Sequence, residues 1–249
     1  MKQAFKQMLG SRWQYVRAVA YLSRAAVKGF GQYDRECPLC GHKGRFLAEV
    51  HFPDIFNFDA LCPSCGSLPR NRLLWLNLTQ RGLIGPTDRV LHFAPETCLT
   101  DHVRALAGEY KTADLFAAGV DLKLNIENID LPDESQDAII CSHVLEHVND
   151  RAAIAELYRI LSPGGRLFIL VPVAEGWEKT YESDASFDPD GQSLHYGKDN
   201  HIRRYGRDLR DRLAAPGFAV EAASYDGGNC VRYGLLPGEN LFICRKPQA

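Results

Sequence analysis

The sequence predicts an α/β protein, a doubly wound parallel sheet preceded by a small module closed around a metal. Three observations lead there. From Arg89 onward, strand-length apolar runs alternate with helix-periodic segments, the pattern of a parallel sheet covered on both faces. RVLHFAPE, Arg89 to Glu96, reads as a short buried strand entering a tight turn, and a second strand-like run ends in Asp114 roughly 20 residues on. Upstream, two CPxCG turns stand with 21 residues between Cys40 and Cys62.

The chain of 249 residues has room for one large domain, or a large and a small one. It is 45% hydrophobic and 24% charged, with a formal net charge of -2, and so carries no global signature of nucleic-acid or anionic-membrane binding. Its longest apolar stretch, Leu167 to Val173, is too short to span a bilayer. Lys6, Arg12 and Arg17 interrupt the N-terminal region where a signal peptide needs a continuous apolar centre. The expectation is a cytoplasmic protein with reduced thiols, peripheral at the inner membrane face if its N-terminal arm lies on lipid.

That arm, residues 1–33, carries Lys2, Lys6, Arg12, Arg17, Arg24 and Lys28 and no carboxylate. Phe5, Leu9, Trp13, Val16 and Ala20 recur at three and four, which predicts a basic amphipathic helix, or two joined near Gly10-Ser11. Its apolar face can pack on the domain, lie on a membrane surface through residues 1–30, or present the basic face to a partner or nucleic acid.

Residues 34–68 are expected to form a ribbon. Each CPxCG turn aims two thiolates and its backbone amides at one point, so Cys37, Cys40, Cys62 and Cys65 complete a four-sulfur tetrahedral site. Such a site leaves no vacancy for water, which makes a structural Zn2+ the expected occupant. The intervening segment from Gly44 to Val50 is strand-like, and His42 and His51 are spare ligands by position.

A connecting helix over 69–87 follows, with Ser67 as cap, Pro69 in the first turn, and Leu73, Leu74, Leu76 and Leu78 apolar before Gly82. Arg70 and Arg72 are expected on its solvated edge, with phosphate binding as the alternative.

Residues 88–249 make up the main domain. In an open α/β sheet a nucleotide-like cofactor sits beyond the carboxyl ends of the strands, which directs attention to the turn after Phe93. A carboxylate at Asp114 suits the two hydroxyls of a ribose. In the third segment, Leu122 to Ile126, Asn125 can pair with an adenine and Ile126 can cover it.

The fourth segment, DAIICSHVLEHVND, and the turn Leu161-Ser162-Pro163-Gly164-Gly165 carry a specific signal. Together with the strand order between them, they make the run from Arg89 to Pro172 resemble a class I S-adenosylmethionine-dependent methyltransferase of the type 11 kind. The resemblance implies a Rossmann-like methyltransferase sheet and S-adenosylmethionine as cofactor. It places His92, Phe93, Ala94, Pro95, Glu96, Asp114, Leu115, Asn125, Ile126, Ser142 and His143 around that cofactor. The chain departs from the family at the loop after the first strand, where E/DxGxGxG is replaced by His92-Phe93-Ala94-Pro95-Glu96. Glycines there let the backbone approach the cofactor, so this loop must cradle it differently.

Arg151 to Leu161 reads as a helix and Arg166 to Val171 as a fifth strand, stopped by Pro172. The polar insertion 174–206 is the expected acceptor side, since long loops beyond strand ends are commonly functional. Tyr181, Tyr196, Arg203, Arg204 and Tyr205 are its candidate substrate contacts, and two guanidiniums there favour a carboxylate, phosphate or sugar-nucleotide. The opposing reading is a structural clasp, with His201 capping a helix and Arg203 paired with Asp199 or Asp208. A helix over Arg207 to Leu213 and strands at Phe218 to Ala222 and Asn240 to Cys244 complete the domain. The resemblance implies that the final strand runs antiparallel.

An acceptor hydroxyl or protonated amine needs a base, and His143, His195 and His201 are the candidate catalytic imidazoles. His147, four residues after His143, reads as packing and hydrogen bonding in its loop rather than as half of a metal pair. Cys98, Cys141, Cys230 and Cys244 lack ligand spacing.

Three functions stand against one another. The first is methyl transfer to a small polar acceptor, saccharide, sugar-nucleotide or lipid-linked. The second is methylation of RNA, using the ribbon and the basic arm. The third is a non-catalytic zinc-ribbon interaction protein that has lost its cofactor. The sequence does not specify the oligomeric state.

Overall fold

The computed structural model describes residues 15–16, 19–20, 23, 33–51, 55–183, 187–197 and 200–248. The predicted arm therefore lies almost wholly outside the described residues; of its apolar face, Val16 and Ala20 are helical and exposed.

The ribbon is built from β1 (Asp34–Glu36) and β2 (Lys43–Arg45), paired antiparallel, and a hairpin of β3 (Leu47–His51) and β4 (Ile55–Leu61). The single strand expected over 44–50 is broken at Phe46, whose fully buried ring turns inward beneath Arg72. Both cysteine turns have one geometry. Gly41 and Gly66 take φ of 74° and 72°, a region costly for side chains, and their N–H groups donate to the Cys37 and Cys62 carbonyls at 2.9 Å. The amides of Cys37 and Cys62 bond in turn to the carbonyls of His42 and Ser67 at 2.8 and 3.0 Å.

Helix α1 (Pro69–Gln80) is capped at Leu68, one residue later than expected; the Asn71 Oδ1 accepts from the Leu68 N–H at 2.8 Å. The Ser67 hydroxyl instead lies 3.3 Å from Cys37 Sγ. Leu73, Leu74, Leu76 and Leu78 are all buried because the ribbon and the sheet sandwich this helix. Cys37, Leu39 and Phe46 of the ribbon share one apolar core with Val90, Ile140 and Phe168 of the sheet. Full burial of an aliphatic side chain of this kind is worth roughly 1.5–3 kcal/mol, which makes the ribbon part of the main domain's stability.

The seven-stranded sheet has the order β12-β13-β9-β8-β5-β6-β7. Its strands are β5 (Arg89–Phe93), β6 (Glu109–Asp114), β7 (Leu122–Lys123), β8 (Gln136–Ser142), β9 (Leu161–Leu170), β12 (Ala219–Ala223) and β13 (Leu241–Arg245). The five from β7 to β9 are parallel; β13 runs antiparallel to both β9 and β12. Successive residues feed two cores: Val90, Ile140 and Phe168 face α1, while Leu91, Ile139 and Leu167 face α3 (Asp150–Ile160). Helix α2 (Thr97–Arg104) follows β5.

The end of the sheet away from the site is pinned by Arg89. Its guanidinium meets Asp137 through two 2.9 Å bonds and Ser162 Oγ at 2.9 Å, and this pairing holds the Asp137 carboxyl down at about 2.

The insertion folds into β10 (Tyr181–Glu182), α4 (Pro189–Tyr196) and β11 (Arg203–Arg204), followed by α5 (Leu209–Ala214). Helix α6 (Gly227–Tyr233) was not legible, because it opens on Gly227-Gly228; the Asp226 side chain caps it by accepting from the Asn229 N–H at 2.9 Å. No described helix is long and apolar enough to cross a membrane.

Candidate cofactor and acceptor site

The four ribbon sulfurs lie within 4.8 Å of one another, Cys37 to Cys65 at 3.6 Å and Cys40 to Cys62 at 3.7 Å. A tetrahedron with Zn–S bonds of about 2.3 Å has edges of about 3.8 Å, so the donor set fits a tetrahedral ion. A second observation supports the fit. Arg72, expected on a solvated edge, is completely buried, and its guanidinium bonds to the carbonyls of Ala60, Ser67, Tyr233 and Gly234, with no carboxylate in hydrogen-bond contact. Burial lowers its pKa to about 10, and negative charge on the nearby cysteine sulfurs pulls it back up. A buried cation needs nearby negative charge, and four thiolates around a divalent ion leave a net charge of about -2.

The HFAPE turn divides by role. The His92 ring is fully buried, with Nδ1 2.8 Å from the Tyr110 hydroxyl and Nε2 3.1 Å from Glu96 Oε2. Phe93 is core. The Glu96 carboxylate also accepts from Asn71 Nδ2 at 3.1 Å and lies 3.9 Å from Arg70 Nε, so it joins the turn to α1. Burial, the largest single influence, would raise its pKa; the His92 hydrogen bond and charge, with Ser142 and Arg70, together outweigh it and hold Glu96 below the usual carboxylate range. The side chains of His92, Phe93 and Glu96, predicted to surround the cofactor, are thus engaged in holding the turn.

Ala94 and Pro95 remain for the cofactor. Ala94 takes φ of 48°, the left-handed conformation an alanine rarely adopts, at the position of the family's first loop glycine. Its N–H bonds to the Ala113 carbonyl at 2.9 Å, which fixes the kink against the end of β6. Ala94, Pro95, Thr97, Thr112 and Asp114 line one cavity of about 510 Å³. Pro95 therefore walls the hollow, and Asp114 faces it across the same space while accepting from the N–H groups of Phe116 and Ala117 at 2.7 Å. Leu115 and Phe116 beside it are 46% and 88% exposed, apolar surface suited to a purine face. Asn125 is exposed, with its Oδ1 accepting from the Glu127 N–H at 3.0 Å, and Ile126 and Ser142 are buried.

A second cavity of about 340 Å³ opens at the carboxyl ends of β8 and β9, between the sheet and the ribbon. Glu49 and Asn57 line it from the β3–β4 hairpin, Arg70 from α1, His143 and Pro172 from the sheet, and Glu239 and Asn240 from the loop before β13. His143 takes φ of 54°, its N–H bonds to the Leu170 carbonyl at 2.7 Å, and its Nδ1 lies 3.1 Å from Oε1 of buried Glu146. Arg70 stands 3.8 Å from Glu49, while its Nε donates no hydrogen bond and Glu239 Oε2 accepts none. Burial pushes the Glu239 carboxyl up to about 6, against the pull of His143 and Arg70. Sequence reasoning missed Glu49, Asn57, Glu239 and Asn240, which share no motif with the sheet and meet only through the fold.

The insertion supplies neither cavity's lining. Arg203, a predicted substrate contact, is buried: it donates to the Leu145 carbonyl at 2.7 Å and pairs with Asp150 and Glu182 at 3.8 and 3.1 Å. Tyr205, also predicted, is fully buried, its hydroxyl 3.1 Å from the Leu145 carbonyl and from Asp150 Oδ2. The clasp reading describes both better, with partners corrected: Asp208 accepts from Thr180 and lies 3.6 Å from Arg212 instead, and Asp199 lies outside the described residues. Tyr181, His195 and Tyr196 pack with Phe187, the Tyr181 hydroxyl 2.7 Å from His195 Nδ1, and Arg204 lies over the Trp177 ring. Of the three candidate catalytic histidines, His143 alone borders a described cavity; His201 is buried against His147.

This sheet order, with a cofactor-sized hollow beyond β5 and β6, defines the class: a Rossmann-like α/β fold of the class I methyltransferase type. Residues 95–169 match the family model described as a methyltransferase domain. Among curated proteins, a demethylmenaquinone methyltransferase of Corynebacterium urealyticum is 32% identical over 124 residues, 44% of this chain and 54% of its own length. A ubiquinone/menaquinone biosynthesis C-methyltransferase, UbiE, of Escherichia coli is 36% identical over 66 residues, 25% of this chain and 26% of its own. The chain thus spans at most about half the length of these relatives. Among solved structures, the [4+2]-cyclase SpnF superposes with a TM-score of 0.50 at 18% identity, covering 72% of this chain and 82% of that one. That likeness shows the fold and leaves the reaction to the site.

Proposed function

We propose that the chain transfers a methyl group from S-adenosylmethionine to a small, polyhydroxylated acceptor, with a structural zinc ion in the ribbon. The observation that carries this reading is the hollow where Ala94, Pro95 and Asp114 face one another beneath the matched domain. When bound, S-adenosylmethionine supplies an electrophilic methyl group on a sulfonium. The turn at Ala94 and Pro95 would hold the amino acid end, Asp114 the ribose hydroxyls, and Leu115 with Phe116 one face of the purine.

The acceptor belongs in the cavity beside His143. Two of its lining residues carry a buried polar atom without a hydrogen-bond partner, Arg70 Nε and Glu239 Oε2, which a small side-chain adjustment would turn to a methyl acceptor. A hydroxyl both donates and accepts, so a sugar-like molecule satisfies the two together. The nearby Glu49 and Glu96 offset the Arg70 charge, which disfavours a strongly anionic acceptor. His143 takes the acceptor's proton; Glu146 on Nδ1 orients the ring and steadies its charge. The ribbon hairpin, through Glu49 and Asn57, excludes water and selects the acceptor.

Calorimetric titration with S-adenosylmethionine and its demethylated product tests the reading. Wild type should bind both, and Asp114→Ala should weaken both at least about tenfold, the order expected when a charge-assisted hydrogen bond is removed. No binding at millimolar cofactor would refute the transferase and leave a metal-stapled interaction protein. Incubation with labelled cofactor and a panel of sugars and nucleotide sugars then identifies the acceptor.

A further inference from the structure

Outside the ribbon, one other group of potential ligands converges among the described residues. Glu146, His147 and His201 place their ligand atoms within 4.8 Å of one another. Glu146 is 1% exposed, and neither of its carboxylate oxygens has a hydrogen-bond partner, although Oε1 lies 3.1 Å from His143 Nδ1. A sealed carboxylate oxygen without a donor is costly, which makes a cation its natural complement. His147 Nδ1 lies 2.8 Å from the Asn200 carbonyl. A carbonyl only accepts, so Nδ1 carries the proton and Nε2 keeps its lone pair, the tautomer in which imidazole ligates metal. His201 meets His147 edge-on, ring centroids 4.8 Å apart.

The two chain segments are held together independently of any ion. The Ile202 N–H donates to the Glu146 carbonyl at 3.0 Å, Arg203 to the Leu145 and Val148 carbonyls, and the Tyr205 hydroxyl to Leu145. The three donors are thus presented by a braced turn and strand, the pre-organisation a metal site requires.

We propose that Glu146, His147 and His201 form a second metal site, for a divalent transition ion that accepts two imidazoles and a carboxylate, of the Zn2+ or Co2+ kind. The donor set has the softness for such ions rather than for Mg2+ or Ca2+, which favour oxygen alone. Ligands about 2.1 Å from an ion stand about 3–3.5 Å apart, within the 4.8 Å that bounds these atoms, so binding would tighten the insertion onto the loop carrying His143. Glu146 would then share its carboxylate between the ion and His143.

The test uses the full chain and reads metal, independent of activity. Apo protein is titrated with Co2+ and, separately, Zn2+, with metal content measured after gel filtration. The expected result is two equivalents per chain: one giving the intense thiolate-to-cobalt bands of a four-sulfur site, one giving only weak visible bands of nitrogen and oxygen ligation. Glu146→Gln, close in shape, and His201→Ala should each weaken the second equivalent at least about tenfold and leave the thiolate bands intact, which also reports that the variant has folded. His201→Asp, which restores a ligand, should recover part of the affinity. A single equivalent in wild type, or a second one indifferent to both substitutions, overturns the site.

Discussion

Replacing Glu239 by glutamine should make the protein more stable at neutral pH. The carboxyl is buried beside the acceptor cavity, its Oε2 has no hydrogen-bond partner, and its pKa is lifted from 4.5 to about 6. A carboxyl whose pKa is raised on folding favours the folded state fully below pH 4.5, and that contribution is lost as pH rises through 6. At 1.36 kcal/mol per pH unit, the charged form costs the fold about 2 kcal/mol above pH 6. Glu239→Gln keeps the shape and removes the charge. Urea unfolding at pH 8, under reducing conditions with zinc present, should show the variant more stable by about 2 kcal/mol. Because the wild-type side chain takes up its proton as pH falls, the gap should shrink to less than half by pH 5. Equal stability at pH 8, or a gap that does not change with pH, would refute the account of Glu239. The same variant should bind acceptor more weakly, an outcome separable from stability by a raised KM.

Three further outcomes follow from the site. Ala94→Gly should stabilise the protein by up to about 1 kcal/mol in thermal unfolding, since it relieves a left-handed alanine at φ 48° at some cost in chain entropy. Cys62→Ser, or chelation of the wild type, should lower the unfolding temperature of the whole molecule in one transition, because the ribbon and sheet share a core. His143→Ala should reduce kcat far more than cofactor affinity, while His195→Ala should leave both near wild type, because that ring packs in the insertion's own aromatic cluster.

Local chemistry was readable in the sequence; what distant segments do to one another was not. The paired CPxCG turns and the alternation from Arg89 onward encode their structures within a few residues; the parallel sheet came out accordingly, and the four cysteine sulfurs lie together. The left-handed kink at Ala94 was invisible, since alanine gives no hint of it. Arg72 was misjudged because helix position alone predicts solvent, while its four carbonyl acceptors include two from the far end of the chain. Arg203 and Tyr205 looked like acceptor contacts for the same reason: Asp150 and Glu182, which engage them, lie more than twenty positions away or in another element. The cavity beside His143 draws on five separate segments, and only the tertiary fold brings Glu49 and Glu239 together.

Arg72 also fixes how the molecule may be divided. It emerges from α1 and is gripped at once by β4, by the residue after the second cysteine turn and by the end of α6. A fragment beginning at residue 69 would retain the guanidinium in an apolar seat while discarding two of its carbonyls and the thiolates near it. The apparent seam between ribbon and sheet is therefore a line in the sequence without a counterpart in the cohesion of the protein, and neither piece should behave as an autonomous module when expressed by itself.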